Sequence, residues 1–424
     1  MDERTPLDDK ILKTILPYME ANLRLHLSQK YPSIKAIDQF IPLRIDNLEF
    51  GPYKLVINNT EYSLGVYRDY PLCSAIPKCV VEENANGGIP YNVDEFGFEV
   101  KMDETVVSAS DIPWDFWAPN HEPPEKYVDA RLADLEELLK TTKDERYKEH
   151  LKEQKEKLEV WKVSYDARLY DLESETQGAL PYKFLLQFIK KTPKTTHVEL
   201  GLYNMKLHEA FKILTTKFFG NRKAPIIVER FKVHEGTRLI SLPWNMQFVV
   251  RGIESYGDPL RTFRRLHRIV DGSSYPLEYL ELRNVDVATF SRDTLTRISD
   301  NTEKLIISGY VRNFIDMAEL CRLRIKVVVK TADTKYYGHN FVMLVKKWMN
   351  DKTPIGTIFT FEMSPANRTK IMGLIREDLA EEGDTLENGD FVVFTDEGGC
   401  IEVRDEPDKC ALVVEVMEDV VVDD

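Results

Sequence analysis

Four short runs in the second half of the chain constrain its fold more than any other feature. Leu280-Glu281-Leu282, Leu305-Ile306-Ile307, Ile325-Lys326-Val327-Val328-Val329 and Ile358-Phe359-Thr360-Phe361 each read as a strand core. Between them apolar residues recur three and four apart, as in Phe341, Leu344, Val345 and Trp348, which suits an amphipathic helix. From about Leu277 to Met363 the order is therefore strand, helix, strand, helix, strand, helix, strand. A tight hairpin cannot join parallel neighbours, whereas a helical crossover can. The pattern predicts a βα array with parallel strands side by side.

Leu277-Glu278-Tyr279-Leu280-Glu281-Leu282 matches the Leu-x-x-Leu-x-Leu core of a leucine-rich repeat. The place of the usual Asn or Cys is taken by Val285, with Asn284 one position early. The strand cores step by about 25, 20 and 33 residues, within the range of such repeats but without one period. The array resembles a leucine-rich-repeat-like βα solenoid that lacks the buried asparagine ladder. Solenoids of this kind usually hold another protein.

At 424 residues the chain is long enough for two or three domains and a large core without staples. With 30% charged and 43% hydrophobic residues it reads as globular. A net charge of −14 argues against nucleic acid as the main partner, since phosphate binding needs a basic face. No run of about 18 apolar residues suggests a membrane span, and Met1-Asp2-Glu3-Arg4 does not open a signal peptide. The expectation is an intracellular protein, cytoplasmic or nuclear and not secreted. Cys73, Cys79, Cys321, Cys400 and Cys410 fit reduced thiols, with no metal-ligand spacing among them. Neither metal nor cofactor is expected.

The chain divides into a helical head (1–40), a small antiparallel β unit with a loop (41–124), a long charged helix or helical hairpin (125–177), a βα repeat domain (178–382) and a β meander with an acidic tail (383–424). The fold class is α+β / α/β. In the head, Leu7, Ile11, Ile15 and Met19 share one face that Leu12 and Leu16 widen, and Tyr31-Pro32 stops a second helix. From Ile41 the period changes to two, with turns at Gly51-Pro52 and Asn58-Asn59. Residues 71–124 read as a loop, from which Trp114-Asp115-Phe116-Trp117 docks on a neighbouring domain. The helical region bends near Thr141-Thr142 if it is a hairpin. Its stripe Leu151, Leu158, Tyr165, Leu172 is interrupted by Gln154 and Arg168, so it fits an intramolecular helix or a dimerising one. The βα pattern is expected to begin after Gly178, with strands at Tyr182–Ile189 and Val198–Leu202.

Several stretches carry a family likeness. Leu16-Pro17-Tyr18-Met19-Glu20-Ala21-Asn22-x-Arg24, Ile41-Pro42-Leu43-x-Ile45 and Tyr62-x-Leu64-Gly65-x-Tyr67-Arg68-Asp69-Tyr70 resemble the start of the nematode F-box C protein family. Lys217-Phe218-Phe219-Gly220, Leu242-Pro243, Pro276-Leu277-x-Tyr279-Leu280 and Glu303-Lys304-Leu305-Ile306-Ile307 are similar to the same group, as is the helical insertion at 125–176. The resemblance implies a divergent F-box-like head, a βα repeat body and a domain of unknown function. It also implies a substrate receptor of a cullin-based ubiquitin ligase, with a cullin adaptor subunit and a target protein as partners. On that reading Leu7, Ile11, Ile15, Leu16 and Met19 contact the adaptor. The alternative is that they form the core of a small helical lobe.

No metalloprotease histidine pair, phosphate loop, Gly-x-Gly-x-x-Gly or Gly-x-Ser-x-Gly motif occurs, so no catalytic residue is assigned. Cys321 reads as a buried thiol on a helix stripe with Phe314 and Ala318. Arg261, Arg264, Arg265 and Arg268 follow one helix face and suit an acidic or phosphorylated partner; a solvated face paired with local carboxylates fits as well. Two functions stay open: a non-enzymatic ligase substrate receptor, and a free-standing scaffold or interaction protein with no ligase role. An enzyme would require a deep polar pocket holding strongly perturbed carboxylates or histidines.

Overall fold

A computed structural model describes residues 9–72, 74–100, 111–114, 125–174, 180–285, 287, 290–309, 320, 323, 325–330, 338–350, 353–395 and 399–418, with side chains 126, 170–174 and 338–340 excluded. The fold is mixed α+β in two units. The first holds Met1–Leu43, Asn47–Ala224 and Gly236–Met246; the second holds Arg44–Asp46, Pro225–Glu235 and Gln247–Asp424.

The first unit opens with α1 (Asp9–Ile15), α2 (Ala21–Lys30) and α3 (Pro32–Asp38). Glu20 caps α2 by accepting the Leu23 N–H at 3.0 Å, and Pro32 occupies the first turn of α3, where its missing N–H costs nothing. Leu12, Leu16, Ile37 and Ile41 form a small core, with Met19 and Ile34 packed against it. Arg24 is buried beside this lobe. Its Nε donates to the Asp38 carboxylate, Nη1 to the Pro42 carbonyl (2.7 Å) and Nη2 to the Ile41 carbonyl (2.6 Å). Arg222, far along the chain, donates to the other Asp38 oxygen. The N–H groups of Lys223 and Ala224 donate to the Gln39 carbonyl at 2.8 and 3.0 Å. Through Arg24, Asp38 and Gln39 the described helices of this lobe are tied to the segment that follows α7 in the same unit.

β1 (Leu43–Gly51), β2 (Lys54–Ile57) and β3 (Thr60–Asp69) make the expected antiparallel meander. Its turns lie where the sequence places them, with left-handed backbone at Tyr53 and Asn58. The stretch read as loop contains α4 (Lys78–Ala85) and β4 (Asp111–Pro113). The Glu156 carboxylate caps α4 by accepting the N–H of Lys78 (2.5 Å) and Cys79 (3.0 Å), satisfying first-turn donors that no local residue serves. Trp114 is buried within this unit; Asp115, Phe116 and Trp117 lie outside the described residues.

α5 (Glu125–Thr141) and α6 (Glu145–Ser174) form a helical hairpin, which settles the choice between one helix and two. Asp144 accepts the N–H of Arg146 (2.9 Å) and Tyr147 (3.2 Å) to start α6. Lys155–Glu136 (3.0 Å) and Lys162–Asp129 (2.6 Å) bridge the pair. Val128, Leu135 and Leu151 are buried, while Trp161, Tyr165 and Ala167 pack on Phe96 and Phe98.

β5 (Lys183–Lys191), β6 (Thr196–Leu202) and α7 (Leu207–Phe219) complete this part. β5 pairs antiparallel with both β3 and β6, so βα alternation does not begin after Gly178. The reason is local: Thr192 and Thr195 close a tight turn, with Thr192 N–H on the Thr195 carbonyl at 2.8 Å, and a hairpin enforces antiparallel strands. The chain then gives β7 (Ile226–Val233) to the second unit and β8 (Leu239–Ser241), paired with β4, to the first.

The second unit continues with β9 (Phe248–Tyr256), α8 (Pro259–Leu266), β10 (Tyr279–Arg283), α9 (Arg292–Asn301), β11 (Lys304–Ser308), β12 (Lys326–Lys330), α10 (Gly338–Asn350), β13 (Ile358–Glu362) and α11 (Pro365–Asp378). β7, β9, β10, β11, β12 and β13 lie side by side in chain order, all parallel, as the sequence pattern requires. β14 (Gly383–Thr385), β15 (Phe391–Phe394), β16 (Gly399–Glu406) and β17 (Ala411–Glu418) add an antiparallel meander, β17 pairing with β13. No closed barrel forms among the described residues. No described helix is long and apolar enough to cross a membrane. Cys79, Cys400 and Cys410 are free thiols; Cys73 and Cys321, with Phe314 and Ala318, lie outside the described residues.

Three neighbouring strands end alike. Tyr256, Arg283 and Ser308 are in register, and each is followed by left-handed backbone: Gly257 (φ 79°), Asn284 (φ 52°) and Gly309 (φ 95°). The Asn284 N–H donates to the Ser308 carbonyl at 3.1 Å. Asn284, one place early for a repeat asparagine, thus serves a turn. A Cβ at Gly309 would run into Asn284 Oδ1.

Two substitutions test this account. Asp38→Asn removes the only acid facing Arg24 and Arg222 among the described residues, and should cost about 3–5 kcal/mol in denaturant unfolding, as breaking a buried ion pair does. Gly309→Ala should cost about 1–2 kcal/mol by the same measurement, from the left-handed backbone alone.

Candidate interaction face

In a strand, side chains alternate between the two faces of the sheet. Along the parallel array Leu280, Leu282, Leu305, Ile307, Val327, Val329, Phe359 and Phe361 take one face and are buried. Helices cover it. Trp348 and Phe341 of α10 meet Phe359 and Phe361 edge-on, with ring centroids 4.8 and 4.6 Å apart. Ser255 Oγ lies 2.8 Å from Thr262 Oγ1 of α8.

The register places a different set on the other face. Arg230 and Lys232 on β7, Glu254 on β9, Tyr279, Glu281 and Arg283 on β10, Lys304, Ile306 and Ser308 on β11, and Lys326, Val328 and Lys330 on β12 share it. Their charges form a network across four strands. Glu254, 3% exposed, pairs with Lys232 at 3.1 Å and with Arg283 at 2.7 Å. Arg283 also meets Glu281 at 3.1 Å, and Ser308 Oγ donates to Glu281 at 2.9 Å. Burial alone would lower the Arg283 pKa; Glu254 and Glu281 outweigh it and raise it. Gly252 is required opposite Tyr279, because a Cβ there would strike the Tyr279 ring. Burial raises the Tyr279 pKa against the opposing pull of its hydrogen bond with Arg230. Lys304 Nζ lies 5.8 Å from the centre of that ring.

This face is electrically divided. Over β7–β12 it carries Arg230, Lys232, Arg283, Lys304, Lys326 and Lys330 against Glu254 and Glu281. Over β13, β17 and β16 it carries Glu362, Glu415, Glu402 and Glu406 against Arg404. Arg404 binds Glu402 and, at 2.5 Å, Glu415. Such a surface can hold a polymer of matching charge order, and its alternating side-chain register suits an extended one.

The sequence-derived candidates lie elsewhere. In the N-terminal lobe Ile11 and Ile15 are 49% and 46% exposed. Leu16 is fully buried and Met19 packs on the same cluster, so these two serve the lobe core. Leu7 lies outside the described residues. Arg261 and Arg264 are exposed on α8 and Arg265 is half-buried there, but α8 ends at Leu266, which puts Arg268 in the following turn and off the helix face. Arg261 lies 3.9 Å from Asp258, the helix cap. The lysines of the open face are hard to read from sequence because each sits beside an apolar strand core. The signal is there all the same: Lys304, Lys326 and Lys330 occupy the alternate positions that flank those cores.

A cleft of about 610 Å³ in the first unit is lined by Lys35, Asp111, His208, Glu209, Lys212 and Thr216. Lys212 lies 3.5 Å from Asp111. Burial pushes the His208 imidazole below its ordinary pKa, with Glu209 and Asp111 pulling it back. His208 Nδ1 is buried without a hydrogen-bond partner. Both features follow from the burial of the ring in the cleft wall.

Residues 206–365 match the family model of a domain of unknown function, DUF3557. The match begins at the start of α7 and takes in every parallel strand from β7 to β13, hence the whole basic half of the open face. No curated protein and no solved structure matches the chain.

For His208 the sign of the pH effect is fixed. The unfolded chain takes up a proton first as pH falls through the ordinary histidine range near about 6.5, so stability is full above that range and is lost below it. Urea midpoints measured at roughly pH 7.5 and pH 5.5 should differ more for the wild type than for His208→Gln.

Proposed function

We propose that this chain is a non-enzymatic protein-binding module whose second unit grips a protein target on the open face of a leucine-rich-repeat-like βα solenoid. In the fuller reading its N-terminal lobe is F-box-like and docks the adaptor subunit of a cullin-based ubiquitin ligase, making the chain an intracellular substrate receptor. The observation that carries it is the division of labour in α1: Leu12 and its neighbour Leu16 fill the lobe core, while Ile11 and Ile15 remain on the surface as a two-residue apolar step. An exposed apolar pair one turn apart is what a helix presents to a partner groove. Likeness to the F-box C family at Leu16 to Arg24 supports the same reading. Protein partners are favoured over nucleic acid by the net charge of −14, and no metal or cofactor enters.

A second reading keeps the interaction face and drops the ligase. It is favoured by Arg24, Asp38 and Arg222, which bind the lobe into the first unit and give its helices a structural duty of their own. The chain is then a free-standing scaffold or interaction protein.

Affinity purification of the tagged chain separates the two. The receptor reading expects the cullin adaptor to co-purify with the intact chain and to be lost from Ile11→Glu/Ile15→Glu, with the melting temperature held, since both side chains lie at the surface. Absence of the adaptor from the intact chain, or its retention by the variant, removes the ligase role and leaves the scaffold.

A further inference from the structure

We infer that the basic half of the open face receives an extended acidic polypeptide, with an acid at each end of a five-residue stretch and an apolar side chain between them. The inference deepens the reading of that face as a protein-binding surface and does not depend on any ligase.

Lys304 and Lys326 stand directly opposite each other in the β11–β12 register. Like charges so placed destabilise a sheet. Elsewhere on the basic half Lys232 pairs with Glu254 and Arg283 with both Glu254 and Glu281, while Arg230 hydrogen-bonds Tyr279. Among the described residues no ion pair links Lys326 to a carboxylate, Lys330 faces Glu362 across the β12–β13 register without an ion pair, and Lys304 has the Tyr279 ring. A neighbouring pair of ammonium groups, left without an acid in a chain that has 71 Asp and Glu against 57 Lys and Arg, is the signature of an external anion.

The floor between the lysines specifies the rest. Ile306 and Val328 lie on the same face, paired across the strands; Ile306 is buried and Val328 is partly exposed beside it. Lys326 and Lys330 are four residues apart on one strand, about 13 Å at the usual rise per residue. An extended guest has the same rise, so side chains at positions one, three and five of a five-residue stretch meet one surface. Acids at one and five reach the Lys304–Lys326 pair and Lys330, and an apolar residue at three rests on Ile306 and Val328. Beyond β12 the face turns acidic at Glu362 and Glu415, which repels a long polyanion and an anionic lipid surface while leaving room for a short peptide. The charge order therefore favours a polypeptide over nucleic acid or membrane.

The test uses the purified full-length chain and a fluorescent peptide with a Glu-Thr-Leu-Thr-Glu core, read by anisotropy. Saturable binding is expected, weakened about tenfold or more by Lys304→Ala/Lys326→Ala and likewise by Lys330→Ala. It should fall as salt rises and be absent for a Lys-Thr-Leu-Thr-Lys control. Arg261→Ala/Arg264→Ala, on the helix-covered side, should leave it unchanged; melting temperatures check that all variants fold. Binding that survives the lysine substitutions, that moves with Arg261 and Arg264, or that the lysine peptide shares overturns the inference. So does no peptide binding beside capture by vesicles containing phosphatidylserine. Loss of peptide binding leaves the adaptor co-purification untouched, so the two readings fail separately.

Discussion

Parallel neighbours need a crossover between every pair of strands, and that requirement organises the second unit. Each crossover helix must be laid against the sheet, and α8 and α10 lie on the same face. Leucine, isoleucine, valine and phenylalanine then collect beneath them, removing apolar surface from water at roughly 25 cal/mol per Å². On the opposite face no described crossover helix packs, and burial there comes from the side chains of the strands themselves, as with Glu254 and the Tyr279 ring over Gly252. Charged residues are tolerable there for that reason, and the alternation of the pleat keeps the two sets apart without any further device.

Buried charge does a different job in each unit. Asp38 gathers two arginines separated by nearly two hundred positions in the chain and so joins the start of the first unit to its far end. Replacing such a set with apolar residues of equal volume is often neutral or stabilising, so its value lies in fixing which segments meet. Glu254 acts locally. It neutralises Lys232 and Arg283 on the strands to either side and so holds three adjacent strands in one electrostatic register. Both sets are satisfied by several partners at once, the condition under which burying a charge is tolerable.

How far a sequence like this can be read depends on the range of the forces involved. The parallel strands are legible because their apolar cores are bounded by helices with their own period, both local signals. The hairpin turns at Tyr53 and Asn58 are legible for the same reason. β5 and β6 are easily misplaced because an apolar run does not state its direction; only the Thr192–Thr195 turn does, and its four residues are inconspicuous. α4 escapes a local reading because its first turn is capped by Glu156, a residue 78 positions from Lys78. The arginine stripe reads too long because nothing at Leu266 marks a helix stop as glycine or proline would. Of the charged face, the residues are visible but their grouping is not: Lys232, Glu254 and Arg283 meet through register, which no single stretch of sequence contains.

The left-handed residues at Gly257, Asn284 and Gly309 separate two properties that a repeat usually binds together. The strands stay aligned because each is ended at the same level by its own backbone, independent of how many residues travel to the next strand. Crossover length is then free to drift, so the step from Ile253 to Leu280 and the step from Leu280 to Leu305 need not match for the strands to stay aligned. Segments beyond those termini are natural places for insertion, since added residues there leave the strand ends where they are.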